Sequence, residues 1–286
     1  MRERILITND DGIDAPGIRA LARAAGRNGL DVVVAAPLSE ASGSSAAVTA
    51  VERDGRIVVE ERELHGATGV PAYAVAASPA FIVLLALRGA FGPPPTVVVA
   101  GINRGANAGA AVIHSGTVGA ALTASHAGLR SLAVSLDVLT PAATTASSGG
   151  SAMDRAHRGD DEARHWGGAA DLAIRMLSLL ADTPSGTVLN LNVPDLHPDG
   201  VRGLRRATLA RFGQVQISIA EAGEGFLRTA VQAAEEPLDP DTDLAGLAEG
   251  YAVVTPIRAP GDAVDVPLDL DAFAARSGHR WTAEER

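Results

Sequence analysis

Two runs in this chain, Val32-Val33-Val34-Ala35-Ala36 and Val97-Val98-Val99-Ala100, are apolar at every position. A strand with one wet face alternates apolar and polar residues. An unbroken apolar run needs cover on both faces, which is the situation of a parallel sheet between two layers of helices. The surrounding sequence has the grammar such a sheet requires. Arg4 to Thr8 reads as a short buried strand, Asn9-Asp10-Asp11-Gly12 as a polar turn and Asp14-Ala15-Pro16 as a helix start. Ile18, Leu21, Ala22 and Ala25 recur at helical spacing, and Asn28-Gly29 closes that helix before the first apolar run. After the second run come a polar Gly-rich loop, a small-residue helix from about Val118 to Ala127 and a strand from Leu132 to Leu136. The expected fold class is α/β, a Rossmann-like, doubly wound, mostly parallel sheet.

Two regions follow from this pattern. Residues 1–200 form the expected core, continued by a helix from Ala169 to Leu180 and a strand from Val188 to Val193 that Pro194 stops. Within it, residues 140–166 are Ala, Thr, Ser, Gly and charge without apolar period, and the expectation is a long surface loop lacking fixed structure. Residues 201–286 change style. Val215, Ile217 and Ile219 alternate, a Gly-containing turn spans Ala222 to Gly225, and Leu227, Thr229 and Val231 alternate again, the pattern of a C-terminal β-hairpin arm. An isolated hairpin is marginal in water, so this one should pack on something, with a second subunit as one candidate. Tyr251 to Pro256 reads as a returning strand.

Composition narrows the chemistry. With no cysteine, thiolate metal sites and cysteine nucleophiles are excluded, and a metal would be held by oxygen or imidazole. A formal net charge of -10 opposes general nucleic-acid binding, which depends on neutralising phosphates with Lys and Arg. The longest apolar stretch, around Ala80 to Leu87, is far short of the ~20 residues of a membrane-crossing helix. Met1-Arg2-Glu3-Arg4 leads straight into Ile5-Leu6-Ile7, so the expected compartment is the cytoplasm.

Three polar clusters follow three expected parallel strands: Asn9 to Gly12, Ser42-Gly43-Ser44-Ser45, and Gly101-Ile102-Asn103-Arg104-Gly105-Ala106-Asn107. Ligands of open α/β sheets bind outside the carboxyl ends of the strands, so all three point at one crevice. Adjacent aspartates on a strand face opposite ways, and both reach one site only if the strand has ended, a bend that Gly12 permits. Asp10 and Asp11, with the Ser42 hydroxyl and the Asn103 carbonyl, make an all-oxygen set suited to Mg²⁺, Mn²⁺ or Ca²⁺. The competing interpretation makes Asp11-Gly12 an ordinary turn and Asp10 a helix cap. His114-Ser115-Gly116-Thr117 precedes a helix, where unpaired N–H groups and the helix dipole favour an anion such as phosphate. Locally, Ser115 or Thr117 reads equally well as a plain N-cap. His114 stands as an acid or base, or as a structural histidine.

Together these segments resemble the SurE family of survival-protein nucleotidases. The resemblance is carried by Ile5-Leu6-Ile7-Thr8-Asn9-Asp10-Asp11-Gly12-Ile13, Ala15-Pro16-Gly17-Ile18, Ser42-Gly43, Gly101 to Asn107 and Ser115-Gly116-Thr117-Val118. Leu189 to Pro194, Thr242-Asp243, Gly250-Tyr251 and Thr255-Pro256-Ile257 add to it. It implies a phosphoric monoester hydrolase acting on 5'- and 3'-nucleotides, a Rossmann-like core and an arm exchanged between subunits of a homodimer or homotetramer. It also implies one divalent cation per subunit held by Asp10, Asp11, Ser42 and Asn103, with Asn107, Ser115, Gly116 and Thr117 lining the phosphate pocket. Asn9, Gly43 and Ser44 are candidate substrate contacts beside them, and Asp11, in preference to Asp10, is the candidate acceptor of the attacking water's proton.

Three departures accompany the resemblance. Pro37-Leu38-Ser39 stands where the family usually has Pro-Asp-Arg, Ala77-Ser78-Pro79-Ala80-Phe81-Ile82 where it has Gly-Thr-Pro-Ala-Asp-Cys, and His114 where it has an aromatic. They lead to the expectation of a less polar or bulkier leaving group than an ordinary mononucleotide's. Rival readings fare worse. A haloacid-dehalogenase-type phosphatase needs Asp-x-Asp after the first strand, where the aspartates here are adjacent, and a dinucleotide-dependent oxidoreductase needs Gly-x-Gly-x-x-Gly there, which is absent. A metal-binding nucleotide sensor without turnover is the remaining alternative.

Overall fold

The structure is a computed structural model that describes residues 3–138, 158–211, 215–223, 226–233, 238–262, 265–267 and 270. The expected loop over 140–157 and the hairpin turn at 224 and 225 lie outside the described residues.

The strand Arg4–Thr8 (β1) pairs in parallel with Asp31–Pro37 (β2) on one side and Val97–Arg104 (β7) on the other. Ile5 stands opposite both Val32 and Val97. The sheet has nine strands, in the order β10-β13-β9-β8-β7-β1-β2-β6-β5. Its other members are Val59–Arg62 (β5), Ala72–Val75 (β6), Arg130–Asp137 (β8), Thr187–Pro194 (β9), Leu204–Arg206 (β10) and Ala252–Arg258 (β13). Among the described residues of this sheet, only the β5–β6 and β13–β9 pairs are antiparallel. Two short strands, Glu52–Arg53 (β3) and Arg56–Ile57 (β4), form a separate hairpin.

Both faces of the sheet are covered, as the apolar runs require. Ile5, Ile7, Val32 and Val34 pack with Ile18 and Leu21 of α1 (Pro16–Arg27) and with Trp166, Ala169 and Ala173 of the helix Trp166–Ala181, here α4. Leu6, Val33 and Ala35 point the other way, onto Ile82 and Val83 of α2 (Pro79–Leu87) and Val118 and Ala121 of α3 (Gly116–His126). Consecutive strand residues feed opposite cores, so no position in the runs can be polar without burying an unpaired group. No described helix is long and apolar enough to cross a membrane.

Two expectations change. Gly101 to Arg104 does not leave the sheet as a loop: β7 continues to Arg104, with its register against β8 shifting between Ala100 and Asn103. The apolar pattern ends at Ala100, whereas backbone pairing with β8 carries the polar residues on. Residues 158–166 are also not structureless, since Arg158–Ala163 form a 3-10 helix. Side-chain ion pairs hold it, and those leave no hydrophobic period to read.

The C-terminal hairpin pairs Val215–Gly223 (β11) with Phe226–Ala233 (β12) as a two-stranded sheet separate from the main one. A short helix, Asp243–Ala248 (α5), returns to the core before β13. The buried Asp243 carboxylate anchors it, accepting from the N–H groups of Gly109, Ala210 and Leu244 at 2.8, 3.0 and 2.9 Å.

Candidate active site

β2 leaves β1 toward one side of the sheet, and β7 lies on its other side, so the winding reverses at the β1/β7 boundary. That boundary is where an open α/β sheet forms its crevice, and Asp10, Asp11, Asn103 and Arg104 stand at its rim. The turn after β1 is built by Asn9. Its amide donates to the Gly12 carbonyl at 2.9 Å and its carbonyl accepts from the Gly12 N–H at 3.2 Å, with Gly12 at φ 98°. Asn9 is wholly buried. Both ends of its amide, which the sequence made a candidate substrate contact, are used inside the turn that brings the two aspartates to one place.

Asp10 lies under the N-terminus of α3. Its carboxylate accepts from the Thr117 hydroxyl, and the amides of Gly116 and Thr117 favour its charge. Burial nevertheless dominates and raises its pKa above the ordinary value. Gly116 is required for this approach, because a Cβ there would stand 2.7 Å from the Asp10 Oδ2 and 2.6 Å from the Ser44 Oγ. The Ser115 Oγ accepts from the Val118 N–H at 3.0 Å as the N-cap of α3. The anion at this helix end is Asp10, Thr117 and Gly116 serve it, and Ser115 caps the helix, since the free N–H groups of the first turn satisfy the nearest buried charge.

Asp11 is partly buried and accepts from the Arg104 N–H at 3.0 Å. Burial, then the charge of Asp10 and more weakly that of Glu40, push it up to about 8 against that hydrogen bond. Arg104 turns its guanidinium to Asp161, Nε to Oδ1 at 2.8 Å. Asn103 donates its amide to the Gly105 carbonyl at 2.8 Å, so its side-chain oxygen is the atom it could offer a cation. Ser42 is exposed, and its hydroxyl goes to Glu40 at 2.7 Å instead of to an aspartate. Asn107 is anchored in the floor: its N–H donates to Asn192, its amide to Ser135, and its carbonyl accepts from Asn190 and Asn192. Gly43 is exposed at the tip of the serine loop, with φ 75°. The Ser44 hydroxyl is buried and makes no hydrogen bond. His114 is exposed.

A cation fits these residues. Two adjacent carboxylates, each held above its usual pKa by burial and the first of them adding its charge to the second, are the groups a divalent ion would stabilise, and the donors around them are oxygen. Missed by sequence reasoning were Glu40, which acts on Asp11 and Ser42, and the ion-pair chain Arg104–Asp161–Arg164–Asp195–His165. An Asp-rich stretch beside the clusters was the one signal available for that chain.

Fold and site define a doubly wound α/β protein with a buried carboxylate pair at its topological switch point. The profile of the family "Survival protein SurE" matches residues 5–217. The chain is 36% identical over 278 residues to the 5'/3'-nucleotidase SurE of Edwardsiella ictaluri, covering 96% of this chain and 93% of that one. It is 36% identical over 258 residues to the 5'-nucleotidase SurE of Symbiobacterium thermophilum, covering 89% and 91%. The crystal structure of the SurE protein from Aquifex aeolicus superposes with a TM-score of 0.68 at 24% identity, over 96% of this chain and 99% of that one, a likeness of fold. The chain belongs to the SurE family.

Proposed function

We propose that this protein is a phosphoric monoester hydrolase of nucleoside 5'- and 3'-monophosphates, working with one divalent cation at Asp10 and Asp11. The observation that carries the reading is the carboxylate pair at the switch point, Asp10 buried and Asp11 partly so, held by the α3 N-terminus on one side and the Arg104 N–H on the other. Its relatives' names, 5'/3'-nucleotidase and 5'-nucleotidase, support the substrate class.

Asp10, Asp11 and the Asn103 oxygen would hold the cation, joined by Ser42 once its hydroxyl leaves Glu40. When bound, the ion supplies positive charge to the phosphoryl oxygens and acidifies the attacking water. Gly116 and Thr117 keep Asp10 charged and oriented. Asp11 accepts the proton of the water that attacks phosphorus in line. The unpartnered Ser44 hydroxyl donates to a phosphoryl oxygen, and Asn107, tied to β8 and β9, gives the pocket a rigid floor. Subunits associate as a homodimer or homotetramer through the β11–β12 hairpin.

Phosphate release from AMP, GMP, 3'-AMP and p-nitrophenyl phosphate, with and without EDTA, tests the reading. The expected result is turnover with Mg²⁺ or Mn²⁺, lost on chelation and restored by added metal. Metal binding without phosphate release from any ester would favour a nucleotide sensor instead.

A further inference from the structure

Beside the aspartates, a cavity of about 530 Å³ opens between the serine loop and the β3, β5 and β6 strands. That is the size of a small-molecule site and more than a phosphoryl group needs. It meets the site already described through Ser44, whose buried hydroxyl has no partner, and Glu40, both of which line it, while Asp10, Asp11 and Asn103 do not. Leu38, Val58 and Val75 supply apolar wall, and Val51, 73% exposed, stands at the mouth. Glu52 and Glu60 of β3 and β5 also line it, Glu60 paired with Arg62 at 2.5 Å. No Lys, Arg or His is among the described lining residues. Phe81 is not among them either: it stands on α2, and Leu38, Ser39, Ala77 and Ser78 are the departures that reach the cavity.

We propose that this cavity receives the leaving alcohol of the phosphate ester, and that it selects an apolar or flat body carrying a cationic or hydrogen-bond-donating nitrogen over one carrying a second anion. The inference rests on the phosphatase reading above. The unpartnered Ser44 hydroxyl marks the phosphoryl end, the aliphatic wall accepts a ring, and the carboxylates of Glu52 and Glu60 face whatever the ring carries. A second phosphate or a carboxylate would meet the like charge of Glu52, while the Arg62 guanidinium is already paired with Glu60. An amine meets complementary charge instead.

Three aryl esters matched in leaving-group acidity read this directly on the metal-loaded enzyme: 4-(aminomethyl)phenyl, 4-(hydroxymethyl)phenyl and 4-(carboxymethyl)phenyl phosphate. The expected kcat/KM falls in that order, with amine over carboxylate by about tenfold or more at low salt and less as salt screens the charges. Glu52→Gln should shrink that ratio, and Val51→Trp, at the mouth, should raise KM for the amine ester more than kcat changes. Both positions are at the surface, so the fold tolerates either change. Vigorous turnover with equal kcat/KM for all three esters, or a ratio untouched by Glu52→Gln, overturns the inference and leaves the phosphatase reading standing. No phosphate release from any of the three, or from AMP, sinks both.

Discussion

At the scale of single residues, the site depends on two carboxylates being kept where water alone would not put them. Replacing Asp11 with Asn leaves its shape and its hydrogen bond from Arg104 but removes the charge and the proton acceptor. The expected loss in kcat is about 10²–10⁴-fold, the range for a general base, with the far-UV circular dichroism unchanged. Wild-type turnover by this variant in metal-free buffer would refute the assignment. Gly116 tests the neighbouring contact. Alanine there places its Cβ within 2.8 Å of the Asp10 side chain and 2.6 Å of the Ser44 Oγ, so one of them must shift. An overpacking cost of about 1–3 kcal/mol in thermal or urea unfolding should accompany a lowered kcat. A variant as stable and as active as the parent would show that Asp10 has room the structure denies it. At this scale the sequence was legible in part. The pair Asp10-Asp11 before Gly12 can be read because a strand end and a glycine are local signals. The hydrogen bonds of Asn9, Thr117 and Ser42 were not legible, because their partners, at Gly12, Asp10 and Glu40, depend on which way each side chain turns.

At the scale of elements, the 3-10 turn of Arg158–Ala163 and the start of α4 are tied to the crevice by charge. Asp161 Oδ1 takes Arg104 Nε and Arg164 Nε at 2.8 and 2.9 Å, and Asp195 takes Arg164 Nη1 at 2.9 Å and the His165 N–H at 3.0 Å. Burial acts to raise the Asp195 pKa, but the His165 N–H, the Arg164 guanidinium and the His165 ring outweigh it and hold the carboxyl below its ordinary 3.8. A depressed carboxyl contributes stability that is present above the unfolded pKa and is lost as pH falls through the folded value. The strap should therefore loosen in acid, at pH values below about 4. Asp195→Asn should cost about 1–3 kcal/mol near pH 7 and progressively less toward pH 3, read as the difference in unfolding free energy between parent and variant. A difference that is constant across that range would mean the charge on Asp195 contributes nothing. Sequence patterning missed this element because the chain holds it by ion pairs between residues up to 143 positions apart, as Arg19 is from Glu162, with no apolar stripe to mark it.

At the scale of the whole molecule, the β11–β12 hairpin stands outside the nine-stranded sheet, and two strands alone are marginal in water. The expected outcome is a dimer or tetramer in sedimentation at micromolar concentration, and monomer or aggregate once 215–233 are removed. A full-length chain sedimenting as a stable monomer would end the idea of an exchanged arm.

The βαβ grammar, the two-sided cover of the sheet and the identity of the acidic pair were determined by the sequence alone, because strand period, helix spacing and turn residues are properties of neighbours in the chain. What lay across from that pair was decided by tertiary structure. Thr117 reaches Asp10 over 107 positions, Arg104 reaches Asp11 over 93, and the cavity joins the serine loop to strands that no local pattern connects to it. Burial sets the pKa of both carboxylates, and burial is the sum of every segment that packs over them, which no stretch of neighbouring residues encodes.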